Sequence, residues 1–240
     1  LLVLQSSPGA GDALEGTAFA EQFTGGRWLG AAGNGLVSNG DETIALDGAV
    51  ALPGLIDAHV HMTLDPAIRS PAEQLEIGEE AAFAAMAARA RDMLAAGITT
   101  ARDLGGGAHR ELALRDRIAS FEIPGPRLLC AGQPVTSPQG HCWFWGGEAR
   151  GADEIRGVVR RQVERGADLI KVMATGGVLT AGTNPSDAQF EQSELDAVVA
   201  EARLHGRHVA AHCHGTSGIE RAARAGVRTI EHCSFMGEPG

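Results

Sequence analysis

Apolar and polar positions change their rhythm at Pro53. Before it, residues 1–52 carry short apolar pieces, at 43–46 and 49–52, among glycines and alanines. That stretch has no helical period and predicts a few short strands and loops. After Pro53, compact apolar runs alternate with segments whose apolar residues recur every three or four positions. The runs predict strands at 55–61, 98–104, 127–131, 169–173, 209–214 and 229–235. The periodic segments predict helices over 71–95, 108–121, 152–165, 191–205 and 218–225, and Gly166, Gly206 and Gly226 stand where helix C-termini favour glycine.

Repeated strand–helix alternation implies parallel strands joined by right-handed crossovers. A doubly wound sheet and a TIM-type (β/α)8 barrel both satisfy it, so the position of the polar residues decides. His61, Gly105–Gly107, Ala174–Gly177, His214–Gly215 and His232 lie at or just past strand C-terminal ends, on several different strands. Convergence from many strand ends describes the catalytic face of a barrel. A nucleotide-binding sheet would concentrate its motif in the first strand–helix turn. Gly105–Gly107 lacks the spacing of a phosphate loop and reads as a tight turn. The α/β fold expected is an incomplete TIM-type barrel of about six βα units over 53–240, preceded by a partial β segment over 1–52.

Composition narrows the partners. A formal net charge of -10 with no Lys/Arg cluster argues against nucleic acid as a main partner. The alanine-rich helix is interrupted by Arg89, Arg91 and Asp92, so no membrane span is expected. Residues 1–4 are too short for a signal-peptide core. Cys130, Cys142, Cys213 and Cys233 show no C-x-x-C spacing, which points to a reducing, cytoplasmic setting. Three of them directly follow a histidine, yet strand alternation turns such neighbours to opposite faces. Cys213 and Cys233 should therefore pack outward beneath helices. Both ends of the chain look cut, with Leu1 at the start and Pro239-Gly240 in a loop-like sequence. A homo-oligomer is compatible with this composition.

The chemistry begins at Pro53-Gly-Leu-Ile-Asp-Ala-His-Val-His-Met62. His59 and His61 share a face of the first barrel strand and are placed to hold a divalent metal. The alternative is a pair of surface histidines on an edge strand. Lys171 lies inside the apolar run Asp168–Met173, where an amine is costly unless it is paired or neutral. It is either a snorkelling lysine or one kept neutral, able to take up carbon dioxide as a carbamate that bridges two cations. His212 and His214 share a face of the fifth strand, and His232 lies on the sixth. A lone strand histidine is usually a hydrogen-bonded core residue. Several at strand ends, together with the lysine, favour metal.

Pro53–His61, the in-strand Lys171, His212 and His232 together resemble the signature of the amidohydrolase superfamily of metal-dependent hydrolases. Ile98-Thr-Thr-Ala-Arg-Asp-Leu104, Lys171-Val-Met-Ala-Thr-Gly-Gly177 and His212-Cys-His-Gly215 most resemble its imidazolonepropionase-related branch, which includes Xaa-Pro dipeptidases. The resemblance implies two divalent metal ions, zinc by expectation. His59 and His61 would hold one, His212 and His232 the other, and carboxylated Lys171 would bridge them. His214 falls outside this ligand set. It further implies hydrolysis of an amide C–N bond, in a dipeptide or N-acyl amino acid, by a hydroxide held between the metals. Residues 1–52 would be part of an N-terminal β-sandwich. The family's metal-binding aspartate on the eighth strand has no counterpart in this sequence, so no catalytic base is assigned.

Around this set, Asp57 and Asp103 are expected to support the ligands, with helix capping as the alternative for Asp103. The loop Ser137–Gly147 carries His141, Trp143 and Trp145, which with His214 are the expected substrate contacts. Residues 180–186 form a second loop near substrate. Two other functions remain open: a remnant or binding module without catalysis, and a single-metal cyclic amidase or deaminase. Lys171 favours two metals.

Overall fold

In a computed structural model of the chain, the described residues are 50–68 and 71–237, together with four short strands before them. Those strands are β1 (Leu2–Gln5), β2 (Glu15–Ala18), β3 (Leu36–Ser38) and β4 (Thr43–Ala45). β1 pairs antiparallel with β2 and with β5 (Val50–Leu52), and β3 pairs with β4. The remaining expectations for 1–49 lie outside the described residues.

From Leu55 the chain forms βα units. The strands are β6 (Leu55–Val60), β7 (Ile98–Asp103), β8 (Arg127–Cys130), β9 (Ile170–Met173), β10 (Val209–Gly215) and β11 (Thr229–Phe235). The helices are α1 (Pro71–Glu76), α2 (Glu79–Ala95), α3 (Arg110–Ala119), α4 (Gly151–Glu164), α5 (Gln192–Leu204) and α6 (Thr216–Ala225). The helix expected over 71–95 is two helices, because Gly78 takes an extended ψ of 148° and ends the first. α3 starts two residues later than expected, since Ala108 and His109 occupy left-handed conformations with φ of 60° and 56°. Gly166, Gly206 and Gly226 have positive φ just past α4, α5 and α6, as expected of C-terminal glycines.

All six strands run parallel, in the orders β6-β7-β8 and β9-β10-β11. The chain leaving β8 joins the two sets. Val135 bridges Val172, its N–H donating to the Lys171 carbonyl and its own carbonyl accepting from Met173, both at 2.8 Å. Among the described residues β6 and β11 share no backbone pairing, so the six strands make an open arc rather than a closed barrel. Ile56 on β6 and Met236 beyond β11 are 71% and 72% exposed at the two edges of the arc.

Strand alternation separates two cores. Ile170, Val172, Val209, Ala211 and Cys213 pack outward against α4, α5 and α6 with Ile155, Val159 and Val198, and Cys233 joins them. Both cysteines thus lie beneath helices, as expected, and all four are free thiols. Ala101, Leu128 and Cys130 pack likewise against Met86, Ala90 and Leu114 of α2 and α3. On the concave side, Leu104, Ala131, Leu169 and Ala210 form a small floor. Polar side chains on the same side of the strands stand above it. No helix among the described residues is long and apolar enough to cross a membrane.

Candidate metal centre

β6 places His59 and His61 on the concave side, and their Nε2 atoms approach to 3.2 Å. The partners of the other ring nitrogens decide what that contact is. Nδ1 of His61 lies 2.7 Å from the Gly105 carbonyl, which can only accept, so that nitrogen carries the proton. Nδ1 of His59 lies 3.3 Å from Glu231 Oε2. Burial works against the charge on Glu231. Hydrogen bonds from His59 and Thr229 and the charges of Arg102 and Lys171 outweigh it, holding the carboxyl at about 2. Glu231 is therefore an acceptor, and His59 too is protonated on Nδ1. With both rings neutral, two Nε2 lone pairs face each other with no proton between them. At a metal–nitrogen distance of about 2.0–2.1 Å, a 3.2 Å gap subtends ~100° at a shared cation, near tetrahedral.

A second cluster comes from β10 and β11. His212, His214 and His232 offer ring nitrogens that all lie within 4.8 Å of one another. His212 Nε2 donates to the Gly176 carbonyl at 2.9 Å, which leaves Nδ1 free. His214 Nδ1 lies 2.9 Å from Ser234 Oγ, and its ring stacks on His232 with centroids 4.7 Å apart. The geometry thus brings His214 beside the pair that the resemblance selected without it. His232 also reaches back to His59, centroid to centroid 4.9 Å, which makes the two clusters one continuous site.

Regular alternation does not account for His232. Glu231 pairs in register with His212 and shares its inward face, so the next residue would point out towards the helices. Instead His232 and Cys233 have φ of 70° and 52°, and the β10–β11 register shifts there. Left-handed conformations at non-glycine residues are costly and tend to gather at functional sites. Here the kink lets Glu231 and His232 serve the same cavity.

Lys171 lies among these rings, 1% exposed, and its Nζ has no hydrogen-bond partner. Burial lowers its amine to about 8, against the pull of Glu231. Burial followed by the Lys171 charge lowers His61 to about 3. Burial lowers His232 to about 4, with His59, His214 and Lys171 adding to it. For His212 the order is burial and then His141, and it falls to about 2. These three imidazoles are neutral at pH 7, with lone pairs available for coordination.

Residues around the ligands fall into two groups. His141 stacks on His212 at 4.5 Å and 29°, and its buried Nδ1 has no partner. Gln189 accepts the His141 N–H at 2.6 Å and donates to the Met173 carbonyl, tying that loop to the end of β9. Trp145 is buried with its ring 5.1 Å from His61, whereas Trp143 is 44% exposed and touches Phe144 instead. Thr180, in the second loop, accepts the Cys142 N–H at 2.9 Å. Asp57 accepts the His59 N–H at 3.1 Å and leaves its ring alone. Asp103 caps no helix; its two oxygens accept the N–H groups of Met62 and Gly105, each at 2.7 Å.

Two residues of the site escaped the sequence reading. Glu231 is a charged residue inside an apolar run, the same sign that marked Lys171. Arg102, on the concave face of β7, donates to Glu231, Thr229 and the Ala58 carbonyl.

Parallel βα units that collect histidines and a buried lysine at strand C-terminal ends define a barrel-type protein with its chemistry at that end. The chain belongs to the amidohydrolase family, whose model matches residues 50–240. It is 33% identical over 216 residues to ochratoxinase of Aspergillus niger, an alignment covering 79% of this chain and 44% of that one. Among solved structures it resembles a Xaa-Pro dipeptidase with methionine bound in its active site, at 35% identity and TM-score 0.71, covering 78% of this chain and 49% of the other. A prolidase complexed with N-methylphosphonate-L-proline is 30% identical with TM-score 0.70, covering 77% and 48%. The chain spans a little under half the length of these relatives.

Proposed function

We propose that this chain is the metal-binding part of a hydrolase that cleaves amide bonds in dipeptides or N-acyl amino acids. The observation that carries it is the pair of opposed lone pairs on His59 and His61. Their other ring nitrogens are engaged by Glu231 and Gly105, so with both rings neutral a shared cation between the two Nε2 atoms relieves the 3.2 Å contact.

In this reading His59 and His61 hold one divalent ion, and His212 and His232 hold a second, with His214 beside them. Zinc suits this nitrogen-rich set. Lys171 is the residue that joins the two positions. With its amine near 8, roughly a tenth is neutral at pH 7 and able to add carbon dioxide. The carbamate would give its unpartnered Nζ a role and would bring negative charge to a cavity otherwise short of it. When bound, the ions would act as Lewis acids on the scissile carbonyl and on water.

The rest is the work of the chain's own side chains. His141, neutral because burial and then Lys171 lower it to about 4, can donate one hydrogen bond to the substrate oxygen. Stacking on His212 fixes its angle of approach. Trp145 closes the wall beside His61 and limits water at the first metal position. Trp143, exposed on the same loop, is positioned to cover an apolar substrate side chain. Asp57 and Asp103 hold the backbone on either side of the histidine pair.

The test is to strip the purified chain with a chelator, reload it with zinc and bicarbonate, and measure bound metal alongside hydrolysis of Xaa-Pro dipeptides and N-acyl amino acids. Metal uptake with turnover supports the proposal. Failure to bind metal would overturn it. Metal without turnover on any amide would assign the chain to the non-catalytic alternative.

A further inference from the structure

Arg102, Glu231 and Thr229 form a half-buried polar unit, of which the proposed function uses only the contact of Glu231 with His59. Arg102 Nη2 donates to Glu231 Oε1 at 2.9 Å, and Thr229 Oγ1 donates to the same oxygen at 2.6 Å. Arg102 Nη1 reaches that threonine oxygen at 3.1 Å, and its Nε donates to the Ala58 carbonyl at 2.7 Å. Both donors therefore converge on Oε1. The carboxylate is fixed with Oε2 turned towards His59 Nδ1 at 3.3 Å.

We propose that Glu231, braced by Arg102 and Thr229, is the positioning residue that fixes the tautomer and ring angle of His59 for cation binding. The inference rests on the proposed metal site and adds to it. A carboxylate behind a ligating histidine keeps the proton on the far nitrogen and increases the basicity of the near one. Removing such a partner typically lowers metal affinity by about 10- to 100-fold. Arg102 adds a second constraint, because its bond to Ala58 holds the backbone immediately before His59.

The brace also has a structural reach. It starts on β7, touches β6 at Ala58 and His59, and ends on β11 at Thr229 and Glu231. β6 and β11 are the edge strands of the arc and share no backbone pairing among the described residues. The side-chain unit is thus a direct tie across the mouth of the arc. Cation binding at β6 and the docking of β11 are coupled through it, and each should stabilise the other.

The experiment uses the full chain with zinc as the probe. Zinc affinity is measured by competition with a chromophoric chelator for the wild type, Glu231→Gln, Glu231→Asp and Arg102→Met. The ring-nitrogen NMR of His59, assigned by loss of its signals in His59→Gln, reports the tautomer in the metal-free chain. Expected are an Nδ1-protonated His59 in the wild type and mixed tautomers in Glu231→Gln. Zinc affinity should fall 10- to 100-fold in Glu231→Gln, with partial recovery in Glu231→Asp. Arg102→Met should show a smaller loss in the same direction; if Glu231→Gln does not fold, this variant carries the test by the same two readouts. Unchanged affinity and tautomer in the folded variants would overturn the brace while leaving the metal site intact. A wild type that binds no zinc, yet shows the Nδ1 tautomer, would overturn the metal site and leave the positioning of His59 standing.

Discussion

Asp103 holds His61 in place without touching its ring. One carboxylate oxygen accepts the N–H of Met62, the residue after the histidine, and the other accepts the N–H of Gly105. The Gly105 carbonyl then takes the proton of His61 Nδ1. A single carboxylate therefore sets both the backbone that carries the ligand and the acceptor that orients it. Asp103 is fully buried, and burial raises it to about 6 although the two amides and Lys171 pull the other way.

Replacing Asp103 with alanine should leave those two buried N–H groups without acceptors. At about 1–3 kcal/mol for each unmade bond, the metal-free chain is expected to lose about 2–6 kcal/mol. Zinc binding at the His59/His61 position should weaken as well. Asp103→Asn keeps the shape but offers one acceptor oxygen, so an intermediate loss is expected. Urea unfolding of the chelator-treated chain, with a zinc titration of each variant, measures both effects. An alanine variant as stable as the wild type would show that Asp103 does not organise these loops.

Behind Asp103 lies Glu111 of α3, fully buried with neither oxygen hydrogen-bonded. Burial, followed by the charge of Asp103, raises its carboxyl to about 8. The folded state therefore holds a proton that the unfolded chain releases near 4.5. Where the folded state binds more protons, stability falls as pH rises, here from about 4.5 up to about 8. Glu111→Gln removes this titration and should be more stable than the wild type at pH 8. Below about 6 a residual slope from Asp103 should persist, since its raised carboxyl acts with the same sign. Urea midpoints across this pH range decide it; parallel curves for the two proteins would contradict the burial of an un-ionised Glu111.

Much of this arrangement is legible in the sequence, and the reasons are local. Period-two runs and 3.6-residue periodicity place β6 to β11 within about a residue, because both depend on side-chain direction along one element. The pair His59 and His61 is legible for the same reason, and so is Lys171, an amine inside an apolar run. Glu231 sent the same signal from the run at Thr229–Phe235, but its meaning depends on Arg102, more than a hundred residues away on another strand. His232 was found by its place at a strand end, although alternation alone would send it outward. Only the left-handed φ at His232 and Cys233 explains how it joins the site, and no residue type there announces it. The break at Gly78 was hidden because a single glycine is tolerated within a helical pattern.

Lys171 supports a prediction in which stability and function diverge. Its Nζ is buried without a partner, a cost of about 1–3 kcal/mol by analogy with other unmade hydrogen bonds. Lys171→Met keeps the length of the side chain and removes the amine. The metal-free variant is expected to unfold at higher urea than the wild type. It should bind less zinc, and bicarbonate should no longer enhance its loading. Lower stability in Lys171→Met would mean that the amine has a partner in the folded chain.

His141 should matter for turnover far more than for metal. Its ring lies on His212 at 4.5 Å, yet its backbone and not its side chain is what Gln189 and Thr136 hold. His141→Phe preserves the stacking surface and removes the free nitrogen, so zinc content should be unchanged. If the nitrogen donates to the developing oxyanion, kcat should drop about 100- to 1000-fold with KM little altered. Gly177 offers an independent check, because a Cβ there would sit 2.5 Å from Cε1 of His141 and push the ring aside. Gly177→Ala should therefore lower kcat in the same way while Asn184, Thr183 and the rest of the loop stay folded. Equal kcat in the wild type and His141→Phe would remove His141 from the chemistry and leave it as packing for His212.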